Sequence, residues 1–226
     1  MIALAKYGKR ECSLAILLLL PLILLSIAGG IWVTSAGYAL AVLFLLTLIA
    51  ILFFFRDPER KIPENKKLIL APADGIIRNI ELISASDSGR LANIFDGKDM
   101  LRITFFVSVL DVRVNRAPCE FTVKLRERKE MTDPKGESVV LAGVMEESGQ
   151  EIPLAVKQFS TAGTAKIVCD PVPGDKLSRG ERYGMLKYGS KIELYLPAKS
   201  DLLEMKVKVG DRVQGGLTTI VEITEK

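Results

Sequence analysis

Three stretches carry the residue types that chemistry would need. Ala71-Pro72-Ala73-Asp74-Gly75 follows the apolar Leu68-Ile69-Leu70 and offers a carboxylate at a turn. Phe106-Val107-Ser108-Val109-Leu110-Asp111-Val112-Arg113-Val114-Asn115-Arg116-Ala117-Pro118 gathers a second carboxylate, an amide and two guanidinium groups. Gly184-Met185-Leu186-Lys187-Tyr188-Gly189-Ser190-Lys191 sets a hydroxyl directly behind a glycine and leads into Ile192-Glu193-Leu194-Tyr195-Leu196-Pro197. The 226 residues include no histidine. That excludes Ser-His-Asp and Cys-His nucleophiles, two-histidine zinc motifs and any imidazole acid or base. Each stretch also has a plain structural reading. Asp-Gly is a common turn pair, Gly-Ser a common bend, and Arg113 and Arg116 would serve on a solvated edge.

These stretches belong to the charged part of an uneven chain. From Cys12 to Phe55 no residue is charged, 44 in a row, whereas the 171 residues beyond have an ordinary globular composition. A bilayer core takes roughly 20 apolar residues per helical crossing. The spacing therefore predicts two transmembrane helices, about 12–29 and 36–55, with the turn at Gly29-Gly30 and Trp32 and Tyr38 at an interface. Pro21 would kink the first helix. A cleavable signal peptide fits the basic start and first apolar run, but the second, longer run argues against simple secretion. Lys6, Lys9 and Arg10 precede the hairpin and Arg56, Arg60 and Lys61 follow it. The positive-inside bias then places both ends, and the soluble domain, on the cytoplasmic side of the cell membrane. Those residues, with Lys66 and Lys67, either attract anionic headgroups at about 1 kcal/mol each or only set topology.

Without Lys6, Lys9, Arg10 and Glu11 the chain holds 28 basic and 26 acidic side chains, a net of +2, too balanced for a dedicated nucleic-acid binder. Cys12, Cys119 and Cys169 are scattered, with no C-x-x-C, and read as reduced packing residues; no metal site is expected.

Beyond Phe55, short β-branched and aromatic runs alternate with Gly, Pro and Asp. They predict strands at Gly75–Ile83, Leu101–Val109, Phe121–Glu127, Val139–Met145, Ile152–Phe159, Ala165–Cys169, Lys191–Leu196 and Thr218–Ile223. The fold class is a mainly β soluble domain, sandwich-like or barrel-like. Pro173-Gly174-Asp175-Lys176-Leu177 runs to Gly180, and Val209-Gly210-Asp211-Arg212-Val213 runs to Gly216. This echo reads as two related hairpins in one sandwich. It is similar to the turns of biotinyl and lipoyl carrier domains, although neither Lys176 nor Lys191 sits in a convincing hairpin-tip motif.

Together the stretches resemble the phosphatidylserine decarboxylase family in its short prokaryotic form. The matches run in order: Phe54-Phe55-Arg56-Asp57-Pro58, Pro72-Ala73-Asp74-Gly75, Val112 to Pro118, Ile167-Val168-Cys169, Gly174-Asp175 to Gly184, and Gly189-Ser190 before a Leu-Tyr-Leu-Pro strand. The resemblance implies a self-processing lyase, a zymogen of phospholipid biosynthesis. Ser190 would attack the carbonyl of Gly189, and elimination would leave chains 1–189 and 190–226 as a heterodimer, possibly within a higher oligomer. Residue 190 would become a covalent pyruvoyl cofactor. That group would form a Schiff base with the amine of a serine phospholipid and yield the ethanolamine lipid.

Gly189 would allow the sharp bend that such an attack needs, and the hydroxyl would need a base. Asp74 matches the family's processing aspartate and would need burial or apolar neighbours to strengthen it; Asp111 is the reserve. The family reads Asp-Val-His-Val-Asn-Arg-Ala-Pro where this chain has Arg113. Arginine does not release a proton near neutrality. It would hold the substrate carboxylate or phosphate by a bidentate contact, with Asn115 and Arg116 beside it, or be a simple substitution. Three functions stay open: an active decarboxylase, a non-catalytic membrane-anchored headgroup-binding homologue, and a carrier module.

Overall fold

The uncharged stretch folds as a pair of helices, α1 (Lys9–Trp32) and α2 (Ala36–Phe54). Both are long and apolar enough to cross a membrane, and most of their leucines face outward. The turn is not at Gly29-Gly30, which stay helical; it lies at residues 33–35. The glycines serve the crossing instead. A Cβ on Gly37 would stand 2.3 Å from the Gly30 nitrogen and 2.5 Å from the Ser26 carbonyl oxygen, so small residues let the two backbones meet. Residues on either side of the pair join, with the Ala5 amide donating to the Phe55 carbonyl at 2.8 Å and the Asp57 amide to the Ala3 carbonyl at 2.7 Å.

This is a computed structural model, and it describes residues 3–84, 89–132, 135–147, 149–160, 167–198 and 203–224. The chain divides into two units, 1–59 and 60–226. The second is mostly strand. Its curled eight-stranded antiparallel sheet contains β2 (Gly75–Ile83), β3 (Met100–Phe106), β5 (Phe121–Thr132), β6 (Lys135–Glu147), β7 (Gln150–Ser160), β9 (Lys176–Leu177), β11 (Lys191–Pro197) and β13 (Arg212–Val213). The spatial order is β13-β2-β3-β11-β7-β6-β5-β9. Two three-stranded sheets complete it. One holds β1 (Leu68–Leu70), β14 (Thr219–Ile223) and β12 (Leu203–Met205); the other holds β4 (Val114–Arg116), β10 (Arg182–Leu186) and β8 (Ile167–Cys169).

Period-two alternation explains the long strands. On β7, Ile152, Leu154 and Val156 point into a core shared with Ile103, Phe105, Ile192 and Leu194. The opposite face of the sheet packs Met100, Ala155 and Tyr195 under the single-turn helix α3 (Leu91–Ile94) and Phe95. The strand predicted to reach Val109 stops at Phe106 because Asp111 folds the chain back: its carboxylate accepts the Ser108 amide at 2.8 Å. Of the predicted Ala165–Cys169, residues 165 and 166 lie outside the described residues. Cys119 and Cys169 are buried free thiols, and burial pushes both up to about 12, as packing residues require.

The echo is not a pair of hairpins in one sandwich. Its halves cap opposite edges of the eight-stranded sheet, β9 beside β5 and β13 beside β2. They are nevertheless built alike. Gly174 donates to the Val123 carbonyl and receives back through Val123 N–H to the Asp175 carbonyl; Gly210, Ile77 and Asp211 repeat this. Gly174 and Gly210 take positive φ of 100° and 95°, where a Cβ is strained. The repeat continues outward. Gly180 donates to the Ala117 carbonyl and Gly216 to the Ala71 carbonyl, each at 2.8 Å. The pairings β1-β14-β12 and β4-β10-β8 then match strand for strand, each with a bulge at its first pair. One copy is thus 68–77 with 203–223, the other 114–123 with 167–186.

Candidate active site

The second copy runs from β10 into the central strand β11, at whose N-terminal end Ser190 lies, and the first copy lies one strand away, across β3. The Val107 amide donates to the Ser190 carbonyl at 2.8 Å. A Cβ built on Gly75 would fall 2.3 Å from the Phe106 carbonyl oxygen, so Gly75 closes on the same point from the other side of β3. Strand spacing puts the backbones of Gly75 and Ser190 about 10 Å apart.

Ser190 is half-buried, as is Gly189. Gly189 is needed, though not for the conformational freedom expected of it, since its φ is not positive. Its Cβ would lie 2.3 Å from the Phe159 carbonyl oxygen and 2.8 Å from Leu186. The reason is a close backbone approach, which any side chain would block.

The turn from Leu186 to Ser190 is fixed carbonyl by carbonyl. Arg113 Nη1 donates to the carbonyls of Leu186 at 3.0 Å and Gly189 at 2.9 Å, with a longer contact to Lys187 at 3.4 Å. Ser160 Oγ donates to the Tyr188 carbonyl at 2.5 Å. Arg113 is 4% exposed. It is anchored by its own carbonyl, which accepts the Leu186 amide at 3.0 Å, while Nη2 reaches Ser108 O at 3.4 Å. Burial lowers the guanidinium's pKa from its ordinary value, and Asp111 and Tyr188 oppose the shift; an arginine remains a cation at neutrality.

Asp74 is buried, but not among apolar neighbours. Arg60 grips its carboxylate with two nitrogens at 2.6 and 2.8 Å, and the Gly215 amide donates to the same carboxylate at 2.8 Å. Arg60 also donates to the Gly215 carbonyl. The expected burial is present, and the partners are polar. Asp111 is 5% exposed and pairs with Arg212 at 2.6 Å.

Asn115 and Arg116 are both turned inward. Asn115 is fully buried and accepts from Gln158 Nε2 at 2.6 Å. Its own Nδ2 and Gln158 Oε1 have no hydrogen-bond partner among the described residues, the kind of orphan that a bound group satisfies. Arg116 donates to the Gly180 carbonyl at 3.2 Å. Among the described residues no group of three carboxylate or thiol side chains gathers to hold a metal.

Sequence reasoning missed Arg60, Gln158, Ser160 and Gly215. A signal for two of them was present: the inward positions of β7 read Ile152, Leu154, Val156, Gln158, Ser160, apolar until the strand nears Ser190 and polar thereafter.

The architecture is an apolar helical hairpin, long enough to cross a membrane, and an antiparallel β unit with a buried polar centre. The family model for phosphatidylserine decarboxylase matches residues 48–221. A phosphatidylserine decarboxylase proenzyme of Geobacter sulfurreducens is 33% identical over 92% of this chain and 91% of its own length. Those of Wolbachia pipientis and Geotalea daltonii are 35% and 32% identical, over 85% and 80% of this chain and 83% and 82% of theirs. No solved structure gives a significant match. The chain belongs to the phosphatidylserine decarboxylase family, whose members are carboxy-lyases.

Proposed function

We propose that this protein decarboxylates phosphatidylserine, or a related serine phospholipid, to the ethanolamine lipid after cutting itself between Gly189 and Ser190. The observation that carries this reading is the Gly189-Ser190 junction. It is a half-buried hydroxyl behind a residue that must be glycine, at the head of a central strand and one strand, β3, away from the Asp74-Gly75 turn. The cut would give a chain of residues 1–189 and one of 190–226, held together as a heterodimer.

Asp74 is the base in this reading, which requires Arg60 to release one carboxylate oxygen; Asp111 is the reserve. A pyruvoyl group derived from Ser190 fits the site. Ser190 is half-exposed, so a group made there stays reachable, and Asn115 Nδ2 is a buried donor in want of an acceptor. That group supplies an electron sink for the carbanion left by departing carbon dioxide. Asn115 and Arg116 would set the polar lining for the substrate. The helical hairpin would hold the domain at the cytoplasmic face of the cell membrane, where the headgroup lies.

Denaturing mass spectrometry tests the cut. Purified protein should give two fragments split after Gly189, the smaller blocked at its N-terminus, and Ser190→Ala should stay in one piece. Vesicles containing a serine phospholipid should then release carbon dioxide. A wild-type chain that stays intact would support the non-catalytic headgroup-binding homologue instead.

A further inference from the structure

Arg113 has its guanidinium on the carbonyl that the cut would attack. Nη1 stands 2.9 Å from the Gly189 oxygen, inside the range at which a donor stabilises a developing oxyanion. We infer that Arg113 is the oxyanion-stabilising residue of self-cleavage, and afterwards the counter-ion of the carboxylate left on Gly189. This rests on the self-cleavage reading above.

The chemistry runs as follows. Ser190 Oγ adds to the Gly189 carbonyl carbon, its proton passes to the base, and the carbonyl π pair becomes a negative oxygen facing Nη1. Collapse breaks the carbon–nitrogen bond, the nitrogen takes a proton, and an ester remains. Elimination removes the α-proton of residue 190, breaks the Oγ–Cβ bond and leaves both electrons on the Gly189 carboxylate. Negative charge therefore sits on oxygen bonded to the Gly189 carbonyl carbon in the addition step and again in the elimination. A buried, permanently charged group stabilises both states more than the neutral amide, which is what acceleration demands.

Geometry supports a preorganised role. Arg113, Ser160 and Val107 together hold the carbonyls of Leu186 through Ser190, so little reorganisation is left for the reaction. The matching position in the other copy is Lys67, whose carbonyl accepts the Ile223 amide as that of Arg113 accepts Leu186. There the matching strand β14 ends at Ile223, and Thr224 and Glu225 stand where this copy has Lys187 and Tyr188.

The test is the rate of chain splitting in full-length protein in detergent, followed by denaturing gel and mass. Arg113→Met should slow it by roughly 10²–10³-fold, the usual loss of one oxyanion donor. Arg113→Lys should fall between, since it keeps the charge without the fork. Methylguanidinium, but not sodium, should restore splitting in Arg113→Ala, a response that a purely structural role would not give. Folding is checked by circular dichroism, and if Arg113→Met fails it, Arg113→Lys and Arg113→Gln carry the comparison. Splitting at the wild-type rate in folded variants overturns the role of Arg113 while leaving the cut in place. So does a loss that neither lysine nor methylguanidinium restores. A wild-type chain that never splits overturns the cut itself.

Discussion

The two copies of the repeat share hydrogen-bond patterns and differ in what they bury. Where the first strand of one copy reads Leu68-Ile69-Leu70, that of the other reads Val114-Asn115-Arg116, and Asn115 and Arg116 are as buried as Ile69 and Leu70. Where one reads Pro72-Ala73-Asp74-Gly75, the other reads Pro118-Cys119-Glu120-Phe121. Asp74 is enclosed and gripped by Arg60, while Glu120 lies on the surface, pairing with Lys176 at 2.7 Å. Burying an amide or a guanidinium is unfavourable without good partners, and the apolar copy shows that the fold does not require it. Each copy buries its polar groups at a different place, Asp74 in the loop ahead of β2 and Asn115 and Arg116 on β4.

The sharpest break between the copies should come from matched substitutions. Asp74→Ala leaves Arg60, whose side chain is 7% exposed, without its carboxylate, and should cost about 3–5 kcal/mol in a urea titration. Glu120→Ala should leave the unfolding midpoint unmoved. Next, Gly75→Ala forces a methyl onto the Phe106 carbonyl and should cost about 1–3 kcal/mol. At the equivalent position Phe121→Ala, which empties a buried site, should cost about 3–5 kcal/mol, so the same substitution fails for opposite reasons. Smaller and equal effects are expected where the copies agree: Gly174→Ala and Gly210→Ala should each cost about 1–2 kcal/mol, and unequal values would show that the repeat is not energetic.

The smallest effect concerns Cys119 and Cys169, both in the second copy. Unfolded thiols ionise near 9.0 and the folded ones near about 12. Their contribution to stability is therefore complete below pH 9 and lost as pH rises towards 12. Iodoacetamide at pH 8 should label them only in denaturant.

Long strands were legible because alternation over many residues is a strong signal; Gly75–Ile83 was placed to the residue. The three-residue strands β1, β4 and β12 were not, since their pairing partners are distant in sequence and three residues show no period. The echo was visible at Gly174-Asp175 and Gly210-Asp211, but its placement at opposite sheet edges is a matter of topology that turn chemistry does not contain. At the site, the types and order of Asp74, Asp111, Arg113, Asn115, Arg116, Gly189 and Ser190 were legible. The partner that encloses Asp74 was not: Arg60 reads as one more basic residue after an apolar segment, and Gly215 as a loop glycine.

Strand β11 lies between β3 and β7 in the eight-stranded sheet, and the Gly215 amide that completes the Asp74 cage lies beyond β11 in the chain. Were the chain cut ahead of Ser190, the downstream piece would stay woven between strands of the upstream one and still supply a wall of the Asp74 cage, so the two pieces would not have to find each other in solution.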